Sequence, residues 1–151
     1  MATQPQMSVT PIEVTEAVNA VIDAHERSWN THDVEAYLNL YTDDGEMVNV
    51  IGMHRRGKQE LREEFTSLHA TIMKGSRIRM LERFVRLLGP GIALAHSTWD
   101  MTGMERVPGW NVPEVRKGIF SYVMVERNKS WFITSGHNTD TLPLANITKS
   151  A

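Results

Sequence analysis

Apolar positions recur at helical spacing in the first half of the chain and alternate in the second. Thr10-Pro11-Ile12-Glu13 carries the marks of a helix start: a capping hydroxyl, proline at the first helical position and a glutamate to close a capping box. Val18, Ile22, His25 and Trp29 then form one stripe, predicting a helix that stops near Asn30-Thr31-His32. Asp33 caps a second, short helix with Val34, Tyr37, Leu38 and Tyr41 on its apolar side. Asp43-Asp44-Gly45 reads as a turn, and residues 46–51 as a strand. Met47, Asn49 and Ile51 share one face of it, Val48 and Val50 the other. Gly57 opens a third helix, with Leu61, Phe65, Leu68 and Ile72 as its stripe and Gly75 at its end.

The remainder reads as long strands. Residues 77–88 alternate imperfectly and slip near Glu82 and Arg83, which predicts a bulge. Gly89-Pro90-Gly91 is a tight turn, and residues 92–101 form the next strand. Residues 103–113 make an irregular loop rich in glycine and proline. Residues 115–126 and 131–138 are strands joined by a polar turn at Arg127 to Ser130. Helices gathered before a meander of antiparallel strands define an α+β fold rather than a doubly wound sheet.

Length and composition narrow the class. With 151 residues and 41% hydrophobic content the chain suits one domain, placed at 10–142, with 1–9 and 143–151 as flexible or dimer-associated tails. The net charge of -2 gives no bulk attraction to nucleic acid. Arg77, Arg79, Arg83 and Arg86 lack aromatic interleaving and read as a solvated face or dimer rim. The start of the chain lacks the pattern of a signal peptide, and no run is long and apolar enough to span a membrane. With no cysteine, a cytoplasmic setting is expected. No dinucleotide fingerprint, phosphate loop or G-x-S-x-G elbow is present, and the six histidines are scattered. Neither cofactor nor metal is therefore expected.

Ser28-Trp29-Asn30-Thr31-His32-Asp33, Tyr41-Thr42-Asp43-Asp44-Gly45, Val48-Asn49-Val50-Ile51-Gly52 and Arg56-Gly57 resemble the first half of the nuclear-transport-factor-2-like (NTF2-like) superfamily. Trp131-Phe132-Ile133 and His137-Asn138-Thr139 resemble its last strand. The likeness is to SnoaL-like and DUF4440 domains, particularly the SgcJ/EcaC group, over roughly residues 12–142. It implies a cone-shaped α+β barrel: three N-terminal helices packed on a strongly curved, mainly antiparallel sheet that encloses an apolar cavity. It also implies a small hydrophobic ligand and a homodimer through the outer sheet face. The oxidoreductase label carried by the SgcJ/EcaC group has no visible cofactor machinery behind it.

Strand parity, aligned to ketosteroid isomerase, puts Ser97, Trp99 and Met101, then Ile119, Ser121, Val123 and Val125, then Trp131, Ile133, Ser135 and His137 on the cavity face. His25, Trp29 and Asn49 complete the expected lining. That enzyme's aspartate base corresponds to Asn49, and its two oxyanion donors to His25 and Ser121. An amide has no protonation near neutrality, so the isomerase mechanism does not carry over. His137 and His25 remain as acid–base candidates, with Asn49 polarising a carbonyl. Trp29, Ser97, Trp99, Met101, Ser121, Trp131 and Ser135 are the candidate binding residues. Two readings stay open. One is a cofactor-independent isomerase or cyclase acting on a hydrophobic, polyketide-like carbonyl compound. The other is a ligand-binding or assembly domain of the same fold, in which His25 and Asn49 are hydrogen-bonded core residues.

Overall fold

The helix starts written into the sequence are made. The structure, a computed structural model, describes residues 10–142; the tails expected at 1–9 and 143–151 lie outside them. Helix α1 (Pro11–Asn30) opens with the full capping box: Glu13 N–H donates to Thr10 Oγ1, and Thr10 N–H donates to Glu13 Oε2. Val14, Val18, Ile22 and His25 form its buried face. The α2 helix (Val34–Leu38) is capped by Asp33, whose carboxylate accepts from Ala36 N–H at 3.0 Å. Helix α3 (Gly57–Ala70) buries Leu61, Glu64, Phe65 and His69.

Among the described residues, six strands follow the order β2-β1-β6-β5-β4-β3 in one curved sheet that does not close. They are β1 (Tyr41–Val48), β2 (His54–Arg56), β3 (Arg77–Gly89), β4 (Ile92–Thr102), β5 (Arg116–Arg127) and β6 (Ser130–Asp140). Pairing is antiparallel except between β1 and β6, which run parallel. Several details depart from the sequence reading. The strand read at 46–51 starts at Tyr41, which is not helical, and ends at Val48, so Asn49 and Ile51 follow it. Helix α3 stops at Ala70, short of Ile72 and Gly75. Asp43-Asp44-Gly45 lies inside β1, where the register with β6 jumps between Tyr41 and Glu46, so the turn chemistry makes an irregular strand instead of ending one. Strand β2 is too short to show a period of its own.

The slip on β3 is real, between Met80 and Arg83. The turn joining β5 to β6 places Asn128 and Lys129 at positive φ, the twist that suits a two-residue hairpin. A second irregularity, on β6, has larger consequences. Val123 pairs with Ser135 but Met124 pairs with Ile133, so one residue is extra and side-chain parity reverses beyond it. Trp131 and Ile133 point inward before this bulge; Gly136 and Asn138 do so after it. The core lies between the α1–α3 layer and the concave face of β3–β6, around Ile22, Tyr41, Trp99, Phe120, Tyr122 and Ile133.

Candidate functional site

Between the helices and the concave sheet face lies a cavity of about 440 Å³, within the range of small-molecule sites. Helices α1 and α3 contribute His25, Trp29, Leu61, Glu64, Phe65 and His69 to its wall. The sheet contributes Trp99, Met101, Arg116, Phe120, Asn138 and Asp140. The loop 103–113 crosses the opening with Met104, Trp110 and Val112, Trp110 being half exposed.

Two imidazoles define its chemistry. His25 is fully buried, and its Nδ1 lies 2.8 Å from the Tyr122 hydroxyl. Burial, and to a lesser degree the facing His69, lowers its pKa from 6.5 to about 4. The Tyr122 phenol is pushed well above 10 by burial and stays protonated. Among the described residues its hydrogen has no acceptor but His25 Nδ1, which assigns the imidazole proton to Nε2. His69, in the last turn of α3, stacks on Phe65 with ring centroids 3.9 Å apart and meets the edge of Trp29 at 4.5 Å. Its Nδ1 lies 2.6 Å from His32 Nδ1. Burial first, then His32, lowers its pKa to about 4. Both rings are therefore neutral at neutral pH. Among the described residues, the buried side-chain polar atoms without a partner are Asn19 Oδ1, His25 Nε2 and His69 Nε2. An orphaned polar atom in a core is costly, so two of them on side chains that line one cavity point to a ligand.

Asn49 is tied into the chain through its carbonyl oxygen and one hydrogen of its amide nitrogen. Its Oδ1 accepts from Ile51 and Met53 N–H at 3.1 and 2.9 Å, and its Nδ2 donates to Glu64 Oε1. Glu64 also accepts from Arg55 Nε at 3.2 Å. Asn49 thus positions a buried carboxylate on the cavity wall. At the opposite side, Trp99 Nε1 donates to Asn138 Oδ1 at 2.7 Å, and Arg116 pairs with Asp140 at 2.7 Å while lying over the Trp99 ring. No three His, Asp or Glu side chains among the described residues converge as a metal site.

The sequence-predicted residues divide accordingly. His25, Trp29, Asn49, Trp99 and Met101 line the cavity. Ser97 faces inward but is buried beside it, donating to Thr98 O. Trp131 packs in the core near the β5–β6 hairpin, away from the cavity. Three expectations are corrected. His137 and Ser135 stand on the outer sheet face because the β6 bulge reverses their parity. Ser121 is on the outer face as well, bonded to His96 Nδ1 at 2.8 Å, because β5 presents Gly118, Phe120, Tyr122 and Met124 inward. Ile119, Val123 and Val125 follow Ser121 outward. His69, Glu64 and Phe120 were missed. His69 follows Phe65 and Leu61 at four-residue steps, so its place on the inner face of α3 could have been read.

A model of the SnoaL-like domain matches residues 5–123, and the chain belongs to this family of the NTF2-like superfamily. Its fold is shared with a solved protein of cystatin-like fold from Caulobacter vibrioides, at 30% identity over 89% of this chain and 94% of that one, TM-score 0.80. A ketosteroid isomerase-like protein from Erwinia carotovora atroseptica matches at 20% identity, 85% and 96% coverage and TM-score 0.68. A protein from Novosphingobium aromaticivorans, provisionally named a scytalone dehydratase, matches at 11% identity, 87% and 86% coverage and TM-score 0.75. No curated protein matches the chain.

Proposed function

We propose that this chain is a cofactor-independent acid–base enzyme of the isomerase or cyclase type, acting on a hydrophobic, polyketide-like carbonyl compound. The observation that carries this reading is the pair of unpartnered Nε2 atoms on His25 and His69, two side chains that line one largely apolar cavity. His69 Nε2 takes the proton from the carbon next to the carbonyl. The C–H electron pair becomes the enolate double bond, and charge moves onto the oxygen. His25 Nε2–H, held in that tautomer by Tyr122, donates to the oxygen. Returning the proton to another carbon gives isomerisation; attack of the enolate carbon on a second carbonyl gives ring closure. An imidazole this weakly basic needs an acidified C–H bond, and the facing donor supplies the acidification. Neutral imidazole is the useful donor here, since it keeps its proton close to the oxyanion without being charged in an apolar site. The neighbours named for ketosteroid isomerase and scytalone dehydratase are consistent with carbonyl chemistry in this fold.

The test uses 2-tetralone, an apolar ketone with acidic C–H bonds, in heavy water. The protein should speed replacement of those protons by deuterium, read by proton NMR. His69→Ala or His25→Ala should each lower that rate about 100-fold. Equal rates for wild type and the double variant would leave a binding domain without chemistry.

We further propose a homodimer through the outer sheet face. There Leu94, Ile119, Val123, Val125 and Phe132 are half-buried and Phe84 is exposed, an apolar surface of the kind that marks association. Light scattering should give twice the chain mass, and Val123→Glu the single mass. A wild-type monomer at tens of micromolar overturns this.

A further inference from the structure

We propose that His32, outside the cavity, is the proton exit for His69: a two-imidazole relay joining the buried cavity to solvent. The proposal rests on the acid–base reading above and gives it a route for the abstracted proton.

His32 is exposed, just after α1, while His69 lines the cavity, its Nε2 unpartnered and its Nδ1 bonded to His32. A hydrogen bond between two Nδ1 atoms holds one proton, so one ring donates and the other accepts. If His32 donates, His69 carries its proton on Nε2 and is a donor toward the cavity. If His69 donates, its Nε2 is bare and is a base toward the cavity. Moving one proton across the pair therefore exchanges the cavity group between acid and base. In turnover, His69 Nε2 gains the substrate proton as its Nδ1 proton passes to His32 Nδ1. His32 then releases its own Nε2 proton to water. The rings end with swapped tautomers, and one proton has travelled from cavity to solvent.

Two further features position His32. Its φ is +54°, in the left-handed turn that ends α1 just after its C-cap Thr31, a conformation that glycine also accepts. Its N–H donates to Trp29 O at 3.0 Å. Trp29, pinned through its Nε1 to Ser76 Oγ at 2.9 Å, packs its ring against His69 and fixes the other side of the pair.

The experiment needs no ligand. Protein labelled with nitrogen-15 at histidine reports the protonation of each ring nitrogen by NMR. The pH is lowered stepwise from roughly 8 to roughly 5; His69 is held neutral down to about 4, so any proton the pair gains leaves His32 Nδ1 as the donor. His69 should then shift to the Nε2–H tautomer while remaining neutral. The other titratable groups on the cavity wall are His25, Tyr37, Glu64, Arg116 and Asp140, with Lys117 at its edge. None of them bonds His69 Nδ1. His32→Gly suits the left-handed backbone and keeps the fold; in it, the His69 tautomer should not change over this range. In the 2-tetralone assay, His32→Gly should slow deuterium uptake at least about tenfold with binding unchanged. A wild-type His69 tautomer that ignores pH, or one that still switches in His32→Gly, overturns the relay. A pH-dependent switch without any ketone exchange leaves the relay standing and overturns the enzymatic reading instead.

Discussion

Acidification from about pH 7 to about pH 4 should cost the fold about 3 kcal/mol through one residue, His25. Its pKa falls from an ordinary 6.5 to about 4 because the ring is fully buried. Between these values the unfolded chain takes up a proton that the folded chain refuses. The unfolded state therefore binds more protons, and stability falls as pH falls. Below about pH 4 both states are protonated and the loss from this group levels off. His69, lowered to about 4 by burial and by His32, acts in the same direction. Asp100, held below its ordinary 3.8 chiefly by its hydrogen bond to Arg79, loses its contribution only below that window. The informative variant is His25→Leu with Tyr122→Phe, since His25→Leu alone would strand the Tyr122 hydroxyl in the core at about 1–3 kcal/mol. Removing both polar partners together should leave stability at neutral pH near or above wild type, because no buried group is orphaned. Urea midpoints near pH 7 and near pH 4.5 measure the effect. A double variant that loses as much on acidification as wild type would remove His25 as the cause. This combination of greater stability with lost ketone exchange is what a histidine kept for chemistry should show.

The helical half of the fold was legible because each signal there is local. Thr10 and Glu13 read as a capping box and form one. Of the stripe Leu61–Phe65–Leu68–Ile72, Leu61 and Phe65 are buried on α3 and Leu68 is half-buried there, while Ile72 follows the helix end at Ala70; all four line the cavity. The cavity-facing half of the sheet was not legible, for two physical reasons. On β5 both faces are apolar: Phe120, Tyr122 and Met124 inward, Ile119, Val123 and Val125 outward. Alternation then shows a strand but not which side is the core. On β6, Thr134 and Ser135 look like any alternating pair, yet one of them is the extra residue of a bulge. A single-residue slip sends every later side chain to the opposite face, which moved His137 outward and Asn138 inward. Asn49 shows a third limit. It lies on the cavity wall, but its partner Glu64 comes from another element, so only the fold reveals that its oxygen and one amide hydrogen are already engaged.

Gly118→Ala should be among the most damaging small substitutions in the protein. Gly118 pairs with Trp99 across β4 and β5, and the Trp99 indole lies over it. A Cβ built there falls well inside van der Waals contact with the Trp99 ring and with the Thr139 carbonyl oxygen. Neither neighbour yields easily. Thr139 is backbone in the adjacent strand, and Trp99 is fully buried with its Nε1 bonded to Asn138 and its face under Arg116. Overpacking of this kind costs typically about 1–3 kcal/mol, and two rigid neighbours place this case near the top of that range. The ring's way out is into the cavity it lines, so ligand binding should fall together with stability. Shrinking the neighbour offers the control. Trp99→Phe removes the part of the ring nearest to the new methyl group, and the double variant should recover part of what Gly118→Ala loses. Denaturant midpoints of the four proteins give the coupling between the two positions. Additive losses would show that the methyl group strains the strand itself. A coupling of about 1 kcal/mol or more would show that Gly118 is required because Trp99 needs its space to shape the cavity wall.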